Sequence, residues 1–288
     1  MLERNVLVKL LEIQDLPTLP EVMNKIIEAV EEDSSSAGRL TSILEKDHAI
    51  SARILKLANS AFYGTRNRVD SIQKAIVIIG FDAVKNLALA NSVFDIFSNK
   101  KQLALDPVDF WIHSLGAAKS VQLLCEKHCD VESPEGCFTT ALIHDIGKYV
   151  LGVILGEEYK IVVDKARESE ELLKNIENQY MEEGHIFVGH WLARKWRFPP
   201  MILNVLGNLY DADNYQGPNK NEVALVALSS DISRKAGFGN AGDWKTPECS
   251  AEHLDILGLS NDDIDYIIEG LVEVKEDTLQ FLNILKRE

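Results

Sequence analysis

Cysteine is scarce and follows no pattern: Cys125, Cys129, Cys137 and Cys249 form no CxxC pair and no disulfide framework in 288 residues. Scattered reduced thiols fit this spacing better than a cysteine-built zinc site. Long apolar runs are missing as well, since none approaches the ~18 residues of a membrane span. The amino terminus, MLERNVLVKLLEIQDLP, is charged and lacks the apolar stretch and small-residue cleavage site of a secretory leader. A soluble cytoplasmic protein is therefore expected. Basic charge is in deficit, with a formal net charge of −15. Nucleic acid and anionic membrane would be repelled at long range, and neither is expected as a partner. Alternating strand-like runs between turn residues are nearly absent.

What remains is apolar sequence at helical spacing. The hydrophobic fraction of 46% supports a sizeable core, and the fold class predicted is all-α, a multi-helix bundle. Residues 21–32, 36–46 and 48–61 read as three short helices. A fourth runs from Ser71 to Ile79 and stops at Gly80, after which Asp82 is placed to cap a helix carrying Val84, Leu87, Leu89, Val93, Phe94 and Phe97. The run AIVIIGF reads as core. The polar tail NKKQLAL closes an amino-terminal subdomain at 1–105, leaving 106–288 as a second helical subdomain. Asp106-Pro107 opens that second block with a capping carboxylate and a proline at the first helical position. Its helix contains His113. Further helices hold His144-Asp145, begin at His185, run from Asn221 to Ala236, and start at Ser260 with Asp263 in a capping-box-like pattern. The loop GFGNAGDWKTPEC reads as flexible, and the glutamate-rich segments EEDSSS, RESEELLKN and MEEG as solvated faces. His128 and His253 read as exposed.

The chemistry concentrates in ALIHDIGKYVL, where His144 and Asp145 interrupt an apolar run. Neighbouring helix positions differ by about 100°, so both side chains can lean toward one point and grip one cation. Other helices must complete the coordination. His113 lies among Trp111, Ile112, Leu115, Ala117 and Ala118, and Asp231 follows Ala224, Ala227 and Leu228 at helical spacing, which points its carboxylate inward. Imidazole with carboxylate suits a divalent transition metal, Fe, Mn, Zn or Ni, better than calcium. Taken singly, a hydrogen-bonded core histidine accounts for His113 and a salt-bridged helix aspartate for Asp231.

Together, in the order His113, His144-Asp145, Asp231, these residues resemble the H…HD…D ligand set of the HD superfamily of metal-dependent phosphohydrolases. The first block sharpens the likeness. LPTLPEV, then LEKDHAISARILKLANSAFYG and SIQKAIVIIGFDAVKNLAL, resemble the amino-terminal half of the HDOD family, the HD-related output domains of bacterial signalling proteins. The family's usual Asp-Pro-Ala reads here Asp47-His48-Ala49, and His48 is expected to be an ordinary surface residue. HDIGK also resembles the HD-GYP cyclic-dinucleotide phosphodiesterases, but those carry paired histidines where this chain has Asn208 and Leu209 in LGNLYDADNYQG. A two-metal site would lack ligands, so cyclic di-GMP hydrolysis is not expected.

Two further residues are candidates for catalysis. Lys148 follows His144 by four positions and Asp145 by three, where its ammonium can hold a phosphate oxygen or pair with Asp145. His185 matches a histidine that is an extra ligand in HD-GYP proteins, and a helix-start histidine is also often structural. The resemblance thus implies a stand-alone regulatory module with a protein partner in a signalling pathway. The alternative is a metal-dependent phosphohydrolase acting on a phosphate-containing small molecule such as a nucleotide.

Overall fold

A computed structural model of the chain describes residues 6–12, 21, 25–26, 37–60, 68–98, 104–127, 131–245 and 247–285. Among them the chain is helical with no strand. Along the chain, α1 (Val6–Glu12), α2 (Ala37–Leu44), α3 (His48–Ala58), α4 (Ile72–Ile79) and α5 (Phe81–Ser98) precede the long α6 (Pro107–Lys127). Then come α7 (Pro134–Ile143), α8 (Ile146–Leu155), α9 (Glu157–Glu168), α10 (Leu173–Tyr180), α11 (His185–Lys195) and α12 (Pro200–Asn208), continued by a 3-10 segment at Leu209–Asn214. The order ends with α13 (Lys220–Lys235), α14 (Ala251–Leu257), α15 (Asn261–Glu273) and α16 (Lys275–Leu285). Most of the helix expected at 21–32, and His128, lie outside the described residues.

The helices gather into two compact units, residues 1–16 with 100–273 and residues 17–99 with 274–288. In the larger unit, α1 buries Val6 and Leu10 and its Lys9 pairs with Glu158 on α9 at 3.0 Å. In the smaller unit, α16 buries Phe281, Leu282 and Leu285 and packs on α3 and α5. This helix follows the one capped by Ser260, which the sequence reads as the last of the chain.

Local signals explain the helix starts. Asp106 Oδ1 accepts the backbone N–H groups of Val108 and Asp109 at 2.8 and 2.9 Å, closing the amino terminus of α6. Asp263 accepts from Ser260 N at 2.8 Å while Ser260 Oγ accepts from Asp263 N at 3.3 Å, a reciprocal box with aspartate in the glutamate position. Asp82 caps nothing: α5 already begins at Phe81, and Asp82 pairs with Lys85 one turn on. Asn59 closes α3 and holds the returning chain, with Nδ2 donating to Val69 O at 2.6 Å and Oδ1 accepting from Val69 N at 2.8 Å.

Two expectations about apolar sequence need correction. AIVIIGF is not wholly core, because α4 is apolar on every side while only Ile72 and Ala75 are buried; Val77 is 83% exposed. Pro134–Leu155 is long and apolar enough to cross a membrane by length and composition, contrary to expectation, although most of that stretch is buried inside the fold. Its burial reflects the centre of the larger unit, where α6 lies against α7 and α13 and where Phe110, Trp111 and Tyr149 meet edge to face or tilted, with centroids 5.3–6.4 Å apart. Replacing Asp106 with Ala should remove the α6 cap and lower stability by about 1 kcal/mol. A urea midpoint unchanged from wild type would show that the cap contributes nothing.

Candidate metal centre

The His144-Asp145 pair does not sit within one continuous helix. α7 ends at Ile143, α8 begins at Ile146, and the two residues occupy the joint, Asp145 at φ −99°, ψ 9°. The joint is pinned by Gly147. A Cβ there would meet His185 O at 1.9 Å and Gly189 N at 2.7 Å, so α11 crosses α8 in backbone contact that only glycine allows. His113 approaches from α6. The chain after α13 presses on that helix at Gly239, whose φ of 62° suits glycine and whose absent Cβ would lie 2.2 Å from Asp109 O and 2.8 Å from His113 N.

Three of the four expected ligands converge. One ligand atom each from His113, His144 and Asp145 lies within 4.8 Å of the others. Asp145 Oδ2 is 3.3 Å from His144 Nε2 and 3.6 Å from His113 Nε2. His144 Nδ1 sits 2.6 Å from Ala141 O, and a carbonyl only accepts. That nitrogen therefore carries the proton, and Nε2 presents its lone pair inward, the tautomer that a metal ligand requires. Ser230 Oγ lies 3.1 Å from His144 Nε2 and 3.5 Å from His113 Nε2. Its single hydroxyl proton cannot satisfy both rings and the carboxylate. Burial lowers the pKa of both imidazoles, that of His113 to about 3. Both rings are then neutral at pH 7, and acceptor atoms converge on one point. This donor set fits a divalent transition metal, with two imidazole nitrogens and a carboxylate oxygen to hold it.

Asp231 does not join them. Its carboxylate turns to Arg234, one turn along α13, and burial raises its pKa against the pull of that guanidinium. Ser230, the neighbouring residue, takes the inward position instead.

Lys148 is fully buried and bound on two sides, to Asp145 Oδ2 at 2.9 Å and to Asp243 Oδ2 at 2.5 Å. It is not free to meet a phosphate. Burial would lower its pKa, but the two carboxylates outweigh that and raise it. Burial likewise would raise Asp145, but His144 when protonated, the permanent charge of Lys148, and His113 when protonated hold the carboxyl well below the usual range. With both rings neutral, Lys148 is the member that supplies this charge at neutral pH. Tyr210 Oη donates to Asp145 Oδ1 at 3.2 Å, and Asp243 Oδ1 accepts from Leu173 N at 2.8 Å.

His185 starts α11 as expected, but it belongs to a second arrangement. Its Nδ1 donates to Glu177 Oε2 at 2.6 Å, and Glu177 also accepts from His185 N at 3.0 Å and from Tyr159 Oη at 2.5 Å. The ring meets Tyr210 edge to face with centroids 5.0 Å apart, and Nε2 is buried without a hydrogen-bond partner. Glu177, Tyr210, Ser230 and Asp243 were not anticipated. Glu177 is only 1% exposed, yet it follows a glutamate-rich segment that reads as solvated. Asp243 comes from the loop expected to be flexible. His253 is also buried rather than exposed, 3.1 Å from Asp213 Oδ1.

A helical HD-like protein with a His-His-Asp centre is the class these features define. The sequence matches the HDOD domain family over residues 16–211, and the chain belongs to that family. Solved structures share the fold. An HDOD domain protein of unknown function from Geobacter sulfurreducens superposes with a TM-score of 0.79 at 22% identity, covering 96% of this chain and 95% of that one. A provisionally named signal transduction protein of Marinobacter aquaeolei gives 0.81 at 21%, over 100% of this chain and 62% of that one. A provisionally named phosphohydrolase of Shewanella amazonensis gives 0.73 at 21%, over 96% and 98%. At these identities the likeness is one of fold. A curated relative, an uncharacterized protein of Treponema pallidum, is 23% identical over 223 residues, 76% of this chain, and the match spans 42% of the relative's length.

Lys148→Met should leave two buried carboxylates facing each other and cost about 3–5 kcal/mol of stability. A loss below 1 kcal/mol would mean that the pair is not held as described. Acid should weaken the metal-stripped fold through the histidines. His113 has a folded pKa of about 3 against 6.5 in its ordinary state, so between those values the unfolded chain binds a proton that the folded chain refuses. Stability is then fully present above pH 6.5 and should fall by about 2 kcal/mol on account of His113 from pH 7 to pH 5, with His144 acting in the same direction. In chelator, His113→Gln should lose less over that interval than wild type; an equal loss would contradict the assignment.

Proposed function

We propose that this chain is a regulatory HDOD module of a signalling pathway. Its divalent transition metal, Fe, Mn, Zn or Ni, is held by His113, His144 and Asp145 as a structural clip, and its output is contact with a protein partner. The observation that carries the reading is enclosure. His113, His144, Asp145 and Lys148 are 0%, 5%, 1% and 0% exposed, and the ammonium of Lys148 already sits on the oxygen that faces both rings. A hydrolytic centre needs an open coordination position with a path for substrate and a free cation for phosphate. The provisional signalling name of the Marinobacter structure agrees with the regulatory reading, although that name is said only of that protein.

A second reading, a metal-dependent phosphohydrolase, is favoured by one feature: three protein ligands leave a coordination position for water or substrate. When bound, the metal would polarise a phosphoryl oxygen or acidify a water. Tyr210 would then orient Asp145. His185, with Nδ1–H committed to Glu177, would offer Nε2 as a proton acceptor.

Elemental analysis of untagged protein separates the readings when combined with activity. The structural clip predicts about one transition metal per chain, lost in His144→Ala. It also predicts a stabilisation of about 2.7 kcal/mol when free metal exceeds its dissociation constant 100-fold, and no turnover of nucleotides, cyclic nucleotides or simple phosphate esters. Metal-dependent phosphate release abolished by Asp145→Ala would replace the first reading with the second.

A further inference from the structure

The smaller unit contains a groove of about 770 Å³ between α3, the residues leading into α4, and α16. Its walls carry the partly exposed Leu55 and Ile284 as apolar surface, Lys56 and Arg68 as cations, and the carboxylate of Asp70, which is paired with Lys74. Neither cation makes an ion pair or side-chain hydrogen bond with a described residue, and both are exposed. Three other cations of this unit are occupied. Arg53 turns inward to Asp95 at 2.6 Å and Asn91 at 2.7 Å, Lys74 pairs with Asp70 at 3.4 Å, and Lys85 pairs with Asp82. Of Arg53, Lys56, Arg68, Lys74 and Lys85, Lys56 and Arg68 are the two without a partner among the described residues.

Charge is divided unevenly between the units. Residues 1–16 with 100–273 hold 18 basic and 32 acidic side chains, a net −14, whereas residues 17–99 with 274–288 hold 12 and 13, a net −1. The free cations therefore lie in the near-neutral part of an acidic chain. At physiological salt the acidic charge elsewhere is screened beyond about 8 Å, while a pair of cations lining a groove acts at contact distance.

We propose that this groove docks an acidic segment of a partner protein, whose carboxylates pair with Lys56 and Arg68 and whose apolar side chain seats between Leu55 and Ile284. Two cations beside an apolar floor suit such a segment better than nucleic acid, whose binding needs a longer basic track. The amide of Asn59 in the same wall is spent on Leu55 O and on Val69. Specificity rests on charge and apolar fit. The inference depends on the partner-binding reading and narrows it to one surface and one chemistry.

The test uses the full chain, a library of displayed random peptides, and the variant Lys56→Glu/Arg68→Glu, with Lys56→Gln/Arg68→Gln as a milder pair. Both variants should keep the wild-type melting curve, because neither side chain has a partner to lose. The expected result is enrichment of acidic peptides with an apolar residue, bound at least tenfold more weakly by the charge-reversed protein and less strongly affected in the glutamine pair. Enrichment of neutral or basic peptides, binding indifferent to both variants, or no enrichment at all would overturn the proposal. So would self-association by analytical ultracentrifugation that the reversal abolishes, because the occupant would then be a second copy. Metal-dependent turnover lost with Asp145→Ala defeats the regulatory reading whatever the peptides do, whereas charge-indifferent peptide binding defeats only the groove.

Discussion

A buried ammonium between two buried carboxylates is the constraint on which the larger unit turns. Lys148 stands between Asp145 and Asp243 with none of the three open to solvent. Removing such charges from water costs several kcal/mol each, and the arrangement persists only because every partner is held in place. Holding them requires distant pieces of chain: the α7–α8 joint supplies Asp145, α8 supplies Lys148, and the loop after α13 supplies Asp243, itself fixed by the N–H of Leu173 at the start of α10. Helix packing and charge pairing therefore specify each other. The backbone contact at Gly147 and the close approach at Gly239 bring these pieces within reach.

The same constraint shapes what the metal centre can do. Oδ2 of Asp145 faces two imidazole lone pairs and one ammonium at once. A divalent ion would complement the lone pairs and compete with the ammonium for that oxygen. The balance suits a permanently held ion in a closed site better than one that exchanges substrate, and so the enclosure bears on function as well as stability.

Much of this was legible in the sequence, and what was not has identifiable causes. His113, His144, Asp145 and Lys148 stand out because polar side chains at apolar helical positions must have partners. Asp231 met the same criterion and still points elsewhere. Periodicity separates neighbours by about 100° but cannot decide which of two adjacent residues faces inward when α13 is buried on most sides, and there Ser230 prevails. Asp243 was hidden because a glycine-rich loop carries no periodic signal, although those glycines let it lie against α6. Glu177 was hidden by its acidic neighbours, whose composition describes a solvated face that this one residue leaves. The apolar run at α4 misled in the other direction: β-branched residues on every side of a short helix cannot all be buried, and Val77 is not.

The account stands or falls on the centre itself. The most direct measurement is a crystal structure of the native protein with anomalous data collected across transition-metal absorption edges. The account predicts one ion within ~2.0–2.3 Å of His113 Nε2, His144 Nε2 and Asp145 Oδ2, with Lys148 still bridging Asp145 and Asp243. An ion ligated by Asp231, with Lys148 displaced and the centre open to solvent, would contradict it.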